Sequence, residues 1–166
     1  MIQAPITVML GLGEMHASAE QNVTLACQGL GSCVAISVYD PIARAGGMAH
    51  MVLPVSSEGH GHTHQEAKFV DQAVPRLLEE VEMLGGRRSR LIAKLVGGAQ
   101  MVRPIYPDSS LNVGQRNAEA AKEVLKRLGI RIGGSDLGGN RGRTARLSVD
   151  TGRLRVSTAG GAIYEL

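Results

Sequence analysis

Aromatic residues are almost absent from this 166-residue sequence, which has one phenylalanine, three tyrosines and no tryptophan. The core must therefore be built from valine, leucine, isoleucine, alanine and methionine. Proteins that bind single-stranded nucleic acid usually combine a basic groove with aromatic side chains on which the bases stack. A formal net charge of +3 is only a weak basic bias. The scarcity of aromatic residues and the small positive charge both argue against nucleic acid as a partner.

Cysteine is also scarce, and long apolar runs are missing. Two cysteines, Cys27 and Cys33, are too few for a disulfide framework or a four-cysteine zinc site. No apolar stretch reaches the roughly 20 residues that a membrane-spanning helix needs, so no membrane insertion is expected. Residues 1–15 lack the basic start and long apolar segment of a secretory signal. We therefore expect a cytoplasmic protein whose thiols stay reduced.

The sequence does contain many short apolar segments separated by glycine and proline. The chain length predicts one domain, residues 1–166. Helical spacing occurs in residues 69–84, where Pro75 predicts a kink or a restart, and in residues 112–128. Thr63 and Glu66 have the spacing of a capping box before the first helix. The other apolar segments predict strands: residues 6–12, 22–27, 33–39, 46–53, 91–96, 130–132, 144–149 and 153–158.

Helices and strands in this order predict an α/β protein of the α+β type. The expected architecture is a single-domain layered α/β/α sandwich with mixed, largely hairpin-linked strands. Residues 14–20 are expected to form a loop and residues 133–143 a glycine-rich turn region. The last eight residues, 159–166, are expected to be a frayed tail or an edge strand.

Residues 29–54 carry the most informative chemistry. Cys33 follows a glycine-rich turn at the start of one predicted strand, and His50 lies on the next strand. A histidine beside a cysteine activates the thiol as a nucleophile. The amide groups of such a turn can lower a thiol's pKa or hold an oxyanion. About half of the possible registers place the two side chains on one face. Taken alone, one cysteine and one histidine are more often simply buried.

Motifs along the whole chain change that balance. The stretches Gly-Leu-Gly-Ser-Cys-Val, Asp-Pro and Gly-Met-Ala-His-Met-Val-Leu-Pro resemble those of the chemoreceptor glutamine deamidase family, CheD, of bacterial chemotaxis. Further family-like motifs follow in the same order: Lys68-Phe69-Val70-Asp71 with Pro75, Gly97-Gly98-Ala99-Gln100-Met101, Gly114-Gln115-Arg116-Asn117, Asp136-Leu137-Gly138-Gly139 with Gly142-Arg143, and Thr151-Gly152.

This resemblance implies a cysteine-dependent amidohydrolase that converts protein glutamine to glutamate and releases ammonia. The family's nucleophile falls on Cys33, which would form a thioester, and its general acid/base falls on His50. The third family residue, usually a threonine six positions before the nucleophile, falls on Cys27, a weaker hydrogen-bonding group. Cys27 is favoured to take this place as a catalytic residue that orients His50; the alternatives are that Thr24 reaches the site from a shifted strand or that a backbone carbonyl orients the ring. Residues expected to bind substrate or support the site are Gly31, Ser32, Gln100, Arg116 and Asn117.

The resemblance also implies the partners. The substrates would be glutamines of methyl-accepting chemotaxis receptors, and the CheC phosphatase would be a binding partner. No cofactor and no metal ion are expected. The alternative is a regulatory binding protein that mainly stimulates CheC and retains weak catalysis, because Cys27 replaces the family's threonine.

Three other clusters have less specific interpretations. The three histidines of residues 60–64 could bind a metal ion, but no cysteine or carboxylate cluster accompanies them, which favours a solvated loop. The glycine-rich residues 138–143 lack the Lys-Ser/Thr ending of a P-loop, so structural support is expected rather than phosphate binding. The three arginines of residues 87–90 are expected to form a solvated face, with binding of an acidic partner as the alternative.

Overall fold

A computed structural model describes residues 2–56, 65–102 and 112–166 of the chain. Within these residues the chain forms two α-helices, one short 3-10 helix (Arg88–Arg90) and ten strands. The elements are β1 (Ile6–Met9), β2 (Met15–Ser18), β3 (Val23–Leu30), β4 (Val34–Asp40), β5 (Ala45–Met51), α1 (Val70–Met83), β6 (Ile92–Gly97), α2 (Val113–Arg127), β7 (Arg131–Leu137), β8 (Arg143–Ser148), β9 (Leu154–Thr158) and β10 (Ile163–Glu165).

The strands form two mixed five-stranded sheets. The central sheet has the order β2-β5-β4-β6-β7, and the outer sheet has the order β1-β3-β8-β9-β10. Pairing is antiparallel except between β1 and β3 and between β6 and β7. The predicted hairpins β4–β5 and β8–β9 are both confirmed.

Both helices cover the same face of the central sheet, and the outer sheet covers its other face. One apolar core joins Val34 and Ile36 of β4 to Leu77 of α1 and Leu125 of α2. A second core lies between the sheets and includes Ala35, on the opposite face of β4. The predicted α+β class is therefore confirmed. The layers run helices, central sheet, outer sheet, so a sheet stands where a second helical layer was expected.

Both edges of the central sheet differ from the prediction. Residues 15–18, predicted as loop, form β2, which pairs with β5 so that Ala17 faces Gly47. Gly133 and Gly134, predicted as turn, belong to β7, which pairs in parallel with β6. Small or polar residues carry little intrinsic strand signal, and here the pairing with an inner strand decides the conformation. The end of the chain forms the edge strand β10, one of the two predicted alternatives.

The helices lie close to their predicted positions. Helix α1 continues through Pro75 without a break, and it begins at Val70, so a capping box at Glu66 does not start it. Its other member, Thr63, lies outside the described residues. Helix α2 is capped by Asn112, whose side chain accepts a 3.0 Å hydrogen bond from the backbone N–H of Gln115. In the described residues, neither helix is long and apolar enough to cross a membrane.

The connection between β4 and β5 is organised by a buried carboxylate. Asp40 accepts hydrogen bonds from the backbone N–H groups of Ile42 (2.8 Å), Ala43 (3.0 Å) and Arg87 (2.8 Å). It also forms an ion pair with Arg90, whose Nη2 lies 2.8 Å from the Asp40 Oδ2. The prediction of a solvated arginine face is therefore wrong for Arg90. Its guanidinium neutralises a carboxylate that has no exposed surface.

Candidate active site

Cys33 lies in the turn that joins the two sheets. Strand β3 ends at Leu30, and its pairing with β8 shifts register between Cys27 and Leu30. Gly29, inside this irregular stretch, has a φ of +69°, a conformation that glycine adopts without steric cost. The chain then turns into β4 and leaves the Cys33 side chain 8% exposed.

A second glycine turn holds the backbone of this cysteine. The N–H of Gly98 donates to the Cys33 carbonyl at 2.8 Å, and the N–H of Ala99 donates to the Gly31 carbonyl at 2.8 Å. Gly97 has a φ of +118°, and a Cβ at this position would lie 2.2 Å from the Cys33 carbonyl oxygen. Only glycine fits here, which gives a physical reason for the Gly97-Gly98 motif.

The register of the β4–β5 hairpin brings His50 to the same face as Cys33. Ala35 is directly opposite His50, and Val34 is opposite Met51. Side chains alternate along a strand, so Cys33 shares the face of Ala35 and is the diagonal neighbour of His50. The sequence left this choice of register open. In the structure the register is the one that puts both side chains on the face of the hairpin that lies between the two sheets.

The His50 ring is oriented by a backbone carbonyl. Its Nδ1 lies 3.0 Å from the carbonyl oxygen of Leu10. A carbonyl only accepts, so Nδ1 carries a proton, and the free lone pair of the neutral ring is on Nε2. This Nε2 is buried and has no hydrogen-bond partner among the described residues. It is therefore the nitrogen available for proton transfer.

The turn between β1 and β2 also fixes the backbone of His50. Its N–H donates to the Glu14 carbonyl at 2.9 Å, and its carbonyl accepts from the Gly13 N–H at 2.9 Å. The Glu14 carboxylate closes the turn by accepting from the Gly11 N–H at 2.7 Å. Sequence reasoning missed this turn. A strand was expected over residues 6–12 and a loop over residues 14–20, and no local signal showed that residues 11–14 face His50.

Cys27 does not take part in this hydrogen bonding. It lies on β3 opposite Ala145, has no exposed surface, and is not bonded to either ring nitrogen of His50. Burial raises the pKa of the Cys27 thiol far above its ordinary value, and a charge on the nearby Cys33 would raise this pKa further. Of the three orienting groups considered from the sequence, the structure shows the backbone carbonyl.

The surroundings of the nucleophile candidate disfavour its thiolate form. Burial raises the pKa of Cys33 above its ordinary value of 9.0, and hydrogen bonding by its own backbone N–H acts in the opposite direction. The expected lowering by the glycine turn is therefore outweighed by burial. Cys33 therefore needs a base to take its proton as it attacks, and the unpartnered Nε2 of His50, on the same face of the hairpin, is the candidate.

Of the predicted supporting residues outside the nucleophile turn, Asn117 is hydrogen-bonded to that turn. Asn117 donates from Nδ2 to the carbonyls of Ser32 (3.0 Å) and Val52 (2.8 Å). Gln100 is half-buried, and its backbone N–H donates to the Gly139 carbonyl at 2.9 Å. Arg116 is half-buried on the first turn of α2. Both Gly31 and Ser32 belong to the nucleophile turn itself.

Arg143 links the glycine-rich segment to the site. It is 8% exposed and forms two hydrogen bonds of 3.1 Å to the Asp136 carboxylate, which also accepts from the Tyr164 hydroxyl. Another guanidinium nitrogen lies 3.5 Å from the Gly97 carbonyl oxygen. This pairing uses the guanidinium for support between the sheets, in agreement with the structural interpretation of residues 138–143.

The structure does not test whether the histidine cluster could bind a metal ion. The three histidines of residues 60–64 lie outside the described residues. Among residues 2–56, 65–102 and 112–166, no three His, Cys, Asp or Glu side chains are grouped so that they could hold a metal ion.

Comparison with known proteins identifies the family. The family model described as CheD chemotactic sensory transduction matches residues 52–158. The "Probable chemoreceptor glutamine deamidase CheD" of Symbiobacterium thermophilum is 43% identical over 157 residues, which cover 95% of each chain. The "Chemoreceptor glutamine deamidase CheD" of Thermotoga maritima is 40% identical over 92% of each chain. The chain belongs to the CheD family.

The two kinds of match cover the site differently. The CheD family model begins at residue 52, after both Cys33 and His50. The Symbiobacterium thermophilum CheD aligns with 157 of the 166 residues, a span that must include both positions. Among solved structures, the Bacillus licheniformis protein YfiH is 14% identical with a TM-score of 0.47, over 74% of this chain and 49% of that one. A likeness at that level carries no argument about this site.

Proposed function

We propose that this chain is a protein-glutamine deamidase that acts on methyl-accepting chemotaxis receptors in the cytoplasm. Its relatives carry the name chemoreceptor glutamine deamidase. The observation that supports the mechanism most directly is the state of His50. Its Nδ1 is tied to Leu10, while its buried Nε2 has no partner among the described residues and lies on the face of Cys33.

The first half of the reaction forms a thioester. His50 Nε2 accepts the proton of the Cys33 thiol as the sulfur bonds to the carboxamide carbon of the substrate glutamine. Negative charge then develops on the carboxamide oxygen, and backbone N–H groups of the nucleophile turn are candidates to stabilise it. As the carbon–nitrogen bond breaks, His50 gives its proton to the leaving nitrogen, which departs as ammonia.

The second half hydrolyses the thioester. His50 Nε2 accepts a proton from a water molecule as the water oxygen bonds to the thioester carbon. The carbon–sulfur bond breaks, the sulfur recovers a proton from His50, and the substrate residue leaves as glutamate. The sum is glutamine plus water giving glutamate plus ammonia, with no oxidant or cofactor. The Leu10 carbonyl stabilises the imidazolium in both halves, because it keeps accepting from Nδ1–H.

Replacement of the nucleophile tests this proposal. Purified wild type and Cys33→Ala would be incubated with a cytoplasmic chemoreceptor fragment, and ammonia release and the conversion of glutamine to glutamate would be measured by coupled assay and mass spectrometry. We expect wild-type turnover and a loss of about a thousandfold or more in Cys33→Ala. Full turnover in Cys33→Ala, with the fold intact, would rule out the cysteine mechanism.

We also propose CheC phosphatase as a binding partner. If binding CheC and deamidating receptors are separable, Cys33→Ala should bind CheC with unchanged affinity while ammonia release is lost. The regulatory alternative rested on Cys27 as a weak replacement for a threonine. The Leu10 carbonyl removes that reason, because it supplies the orienting bond without a side chain. Loss of CheC binding in a folded Cys33→Ala would show that the nucleophile is part of the partner surface.

A further inference from the structure

Asn117 is the polar exception on the buried face of helix α2. Its neighbours on this face are glycine, alanine, valine and leucine, and the asparagine itself has no exposed surface. Its Nδ2 donates to two backbone carbonyls, while its Oδ1 has no partner within the described residues. A buried polar group without a partner is destabilising. The two hydrogen bonds that Nδ2 donates must therefore offset the cost of burying this side chain.

Those bonds join the two halves of the site. The β4–β5 pairing ends at Val34 and Met51. Beyond it, Asn117 bridges the carbonyl of Ser32, which precedes the nucleophile, and the carbonyl of Val52, two residues after His50. Two acceptors cannot bond each other, so a double donor is needed between them. The Asn117 amide thus continues the hairpin beyond its last backbone pair.

Helix α2 packs closely against the glycine turn of residues 97–99, so the position of Asn117 is fixed relative to the nucleophile turn. A Cβ at Gly114 would lie 2.4 Å from the Ala99 carbonyl oxygen, and a Cβ at Gly98 would lie 2.8 Å from the Gly114 carbonyl oxygen. The same glycine turn donates from Gly98 to the Cys33 carbonyl. Helix, glycine turn and nucleophile turn are therefore in direct backbone contact. Asn117 follows Gly114 by three residues, about one helical turn.

We infer that Asn117 is a positioning residue for the proposed reaction, fixing the separation between the Cys33 thiol and the His50 imidazole from helix α2. The inference rests on the proposed function for its kinetic consequence. Its structural consequence, the effect of His50 on the reactivity of the Cys33 thiol, is measurable without any substrate. Only asparagine among side chains of this size supplies two amide hydrogens and no charge. An aspartate in its place would be equal in shape but would set acceptors against acceptors.

The test compares Asn117→Ala and Asn117→Asp with Val124→Ala as a matched control. Val124 lies two turns further along the same buried face and contacts the helix-side core away from the site. The first measurement is thermal unfolding. The second is the rate of Cys33 alkylation by iodoacetamide between pH 6 and 10, located by peptide mass spectrometry and compared with His50→Ala. The third is kcat and KM for ammonia release from the receptor fragment.

We expect His50 to accelerate alkylation of Cys33 in the wild type, and both Asn117 variants to fall towards the rate of His50→Ala. Ammonia release should lose about ten- to a hundredfold in kcat with KM changed less than about threefold, the pattern of an interaction that matters mainly in the transition state. Val124→Ala should retain both rates within about twofold although its unfolding temperature falls, since surplus stability leaves it folded.

Three results would overturn the inference. The first is alkylation and kcat in both Asn117 variants equal to those of the wild type. The second is an equal loss in Val124→Ala, which would reduce the role to stability. The third is wild-type alkylation that does not depend on His50, since the imidazole would then not act on the Cys33 thiol. His50-dependent alkylation without ammonia release would instead contradict the proposed function and leave the inference standing, provided the Asn117 variants lose that dependence.

Discussion

The two ends of the β4–β5 hairpin treat buried polar groups in opposite ways. At the connecting end, Asp40 has three backbone donors and the Arg90 guanidinium. At the open end lie His50 Nε2 and Asn117 Oδ1, two of the three buried side-chain nitrogen or oxygen atoms without a partner in the described residues. An unsatisfied buried polar atom costs about 1–3 kcal/mol. The fully hydrogen-bonded carboxylate of Asp40 stabilises the fold. The unpartnered atoms are concentrated at the end of the hairpin where we propose that the reaction occurs.

The comparison predicts that changes at one end affect catalysis and changes at the other affect stability. His50→Ala should lower ammonia release by about a thousandfold, within the range for removal of a general acid/base. Its free energy of unfolding should fall by only about 1 kcal/mol, because the ring makes one hydrogen bond. Assay of activity and urea unfolding on the same preparation checks both. A stability loss as large as that of Asp40→Asn would break the comparison.

At the other end, Asp40→Asn should lower the free energy of unfolding by about 3–5 kcal/mol, the usual result of breaking a buried ion pair. The folded fraction should keep its deamidation rate, because the change lies at the far end of the strands. Glu80→Gln is the matched control, since it removes the half-exposed pair with Arg76 and should cost less than about 1 kcal/mol. Similar losses in the two variants would contradict the importance of burial at Asp40.

The pH dependence of stability in acid tests the role of Asp40, because the direction of the change can be predicted. Burial alone would raise the pKa of Asp40, but the Arg90 guanidinium and the N–H groups of Ala43, Arg87 and Ile42 together hold it well below its ordinary value of 3.8. The folded state therefore binds this proton less tightly than the unfolded chain. Its contribution to stability is present above about pH 4 and is lost as the pH falls further. Urea midpoints measured from pH 5 downwards should decline more steeply in the wild type than in Asp40→Asn.

Alkaline pH tests the surroundings of the open end. Burial raises the pKa of Cys27 above the ordinary 9.0, so the folded state keeps a proton that the unfolded chain releases. Stability from this group is complete below pH 9 and declines above it, by about 1.4 kcal/mol for each pH unit. Urea midpoints between pH 8 and 10.5 should therefore fall more steeply in the wild type than in Cys27→Ala. Parallel curves would show that residue 27 is not a buried neutral thiol.

The sequence predicted the hairpin and the residue types at its open end, because both depend on local patterns. Alternation of apolar residues around Asp40-Pro41 indicated two strands, and both are present. Register was undetermined, since it depends on which face packs on the helices. The partners of Asp40 and Asn117 were also beyond prediction. Arg90 and the carbonyl of Ser32 lie 50 and 85 residues away along the chain, and no periodicity indicates such contacts.

Residue 27 also shows what the sequence could not reveal, namely which group orients His50. The family resemblance indicated which position should orient the histidine, and the sequence showed that its side chain had changed. Backbone carbonyls, however, are present at every residue, so their use cannot be read from residue identity. The contact from Leu10 depends on the bend of residues 11–14, which depends in turn on pairing with β5.

Variants of Cys27 have the smallest expected effect, and they test most directly which group orients His50 at the open end of the hairpin. If the Leu10 carbonyl orients His50, Cys27→Ala and Cys27→Thr should both change the deamidation rate by less than about threefold, because neither touches that bond. Glu14→Ala should lower it more, by about fivefold, since losing one hydrogen bond of about 1 kcal/mol loosens the turn that carries the carbonyl. Glu14→Gln, which keeps an acceptor for the Gly11 N–H, should restore most of the rate. The opposite pattern, a tenfold loss in Cys27→Ala recovered by Cys27→Thr with no effect of Glu14→Ala, would return the orienting role to residue 27. The partner of Nδ1 would then have to differ between the resting protein and the reacting one.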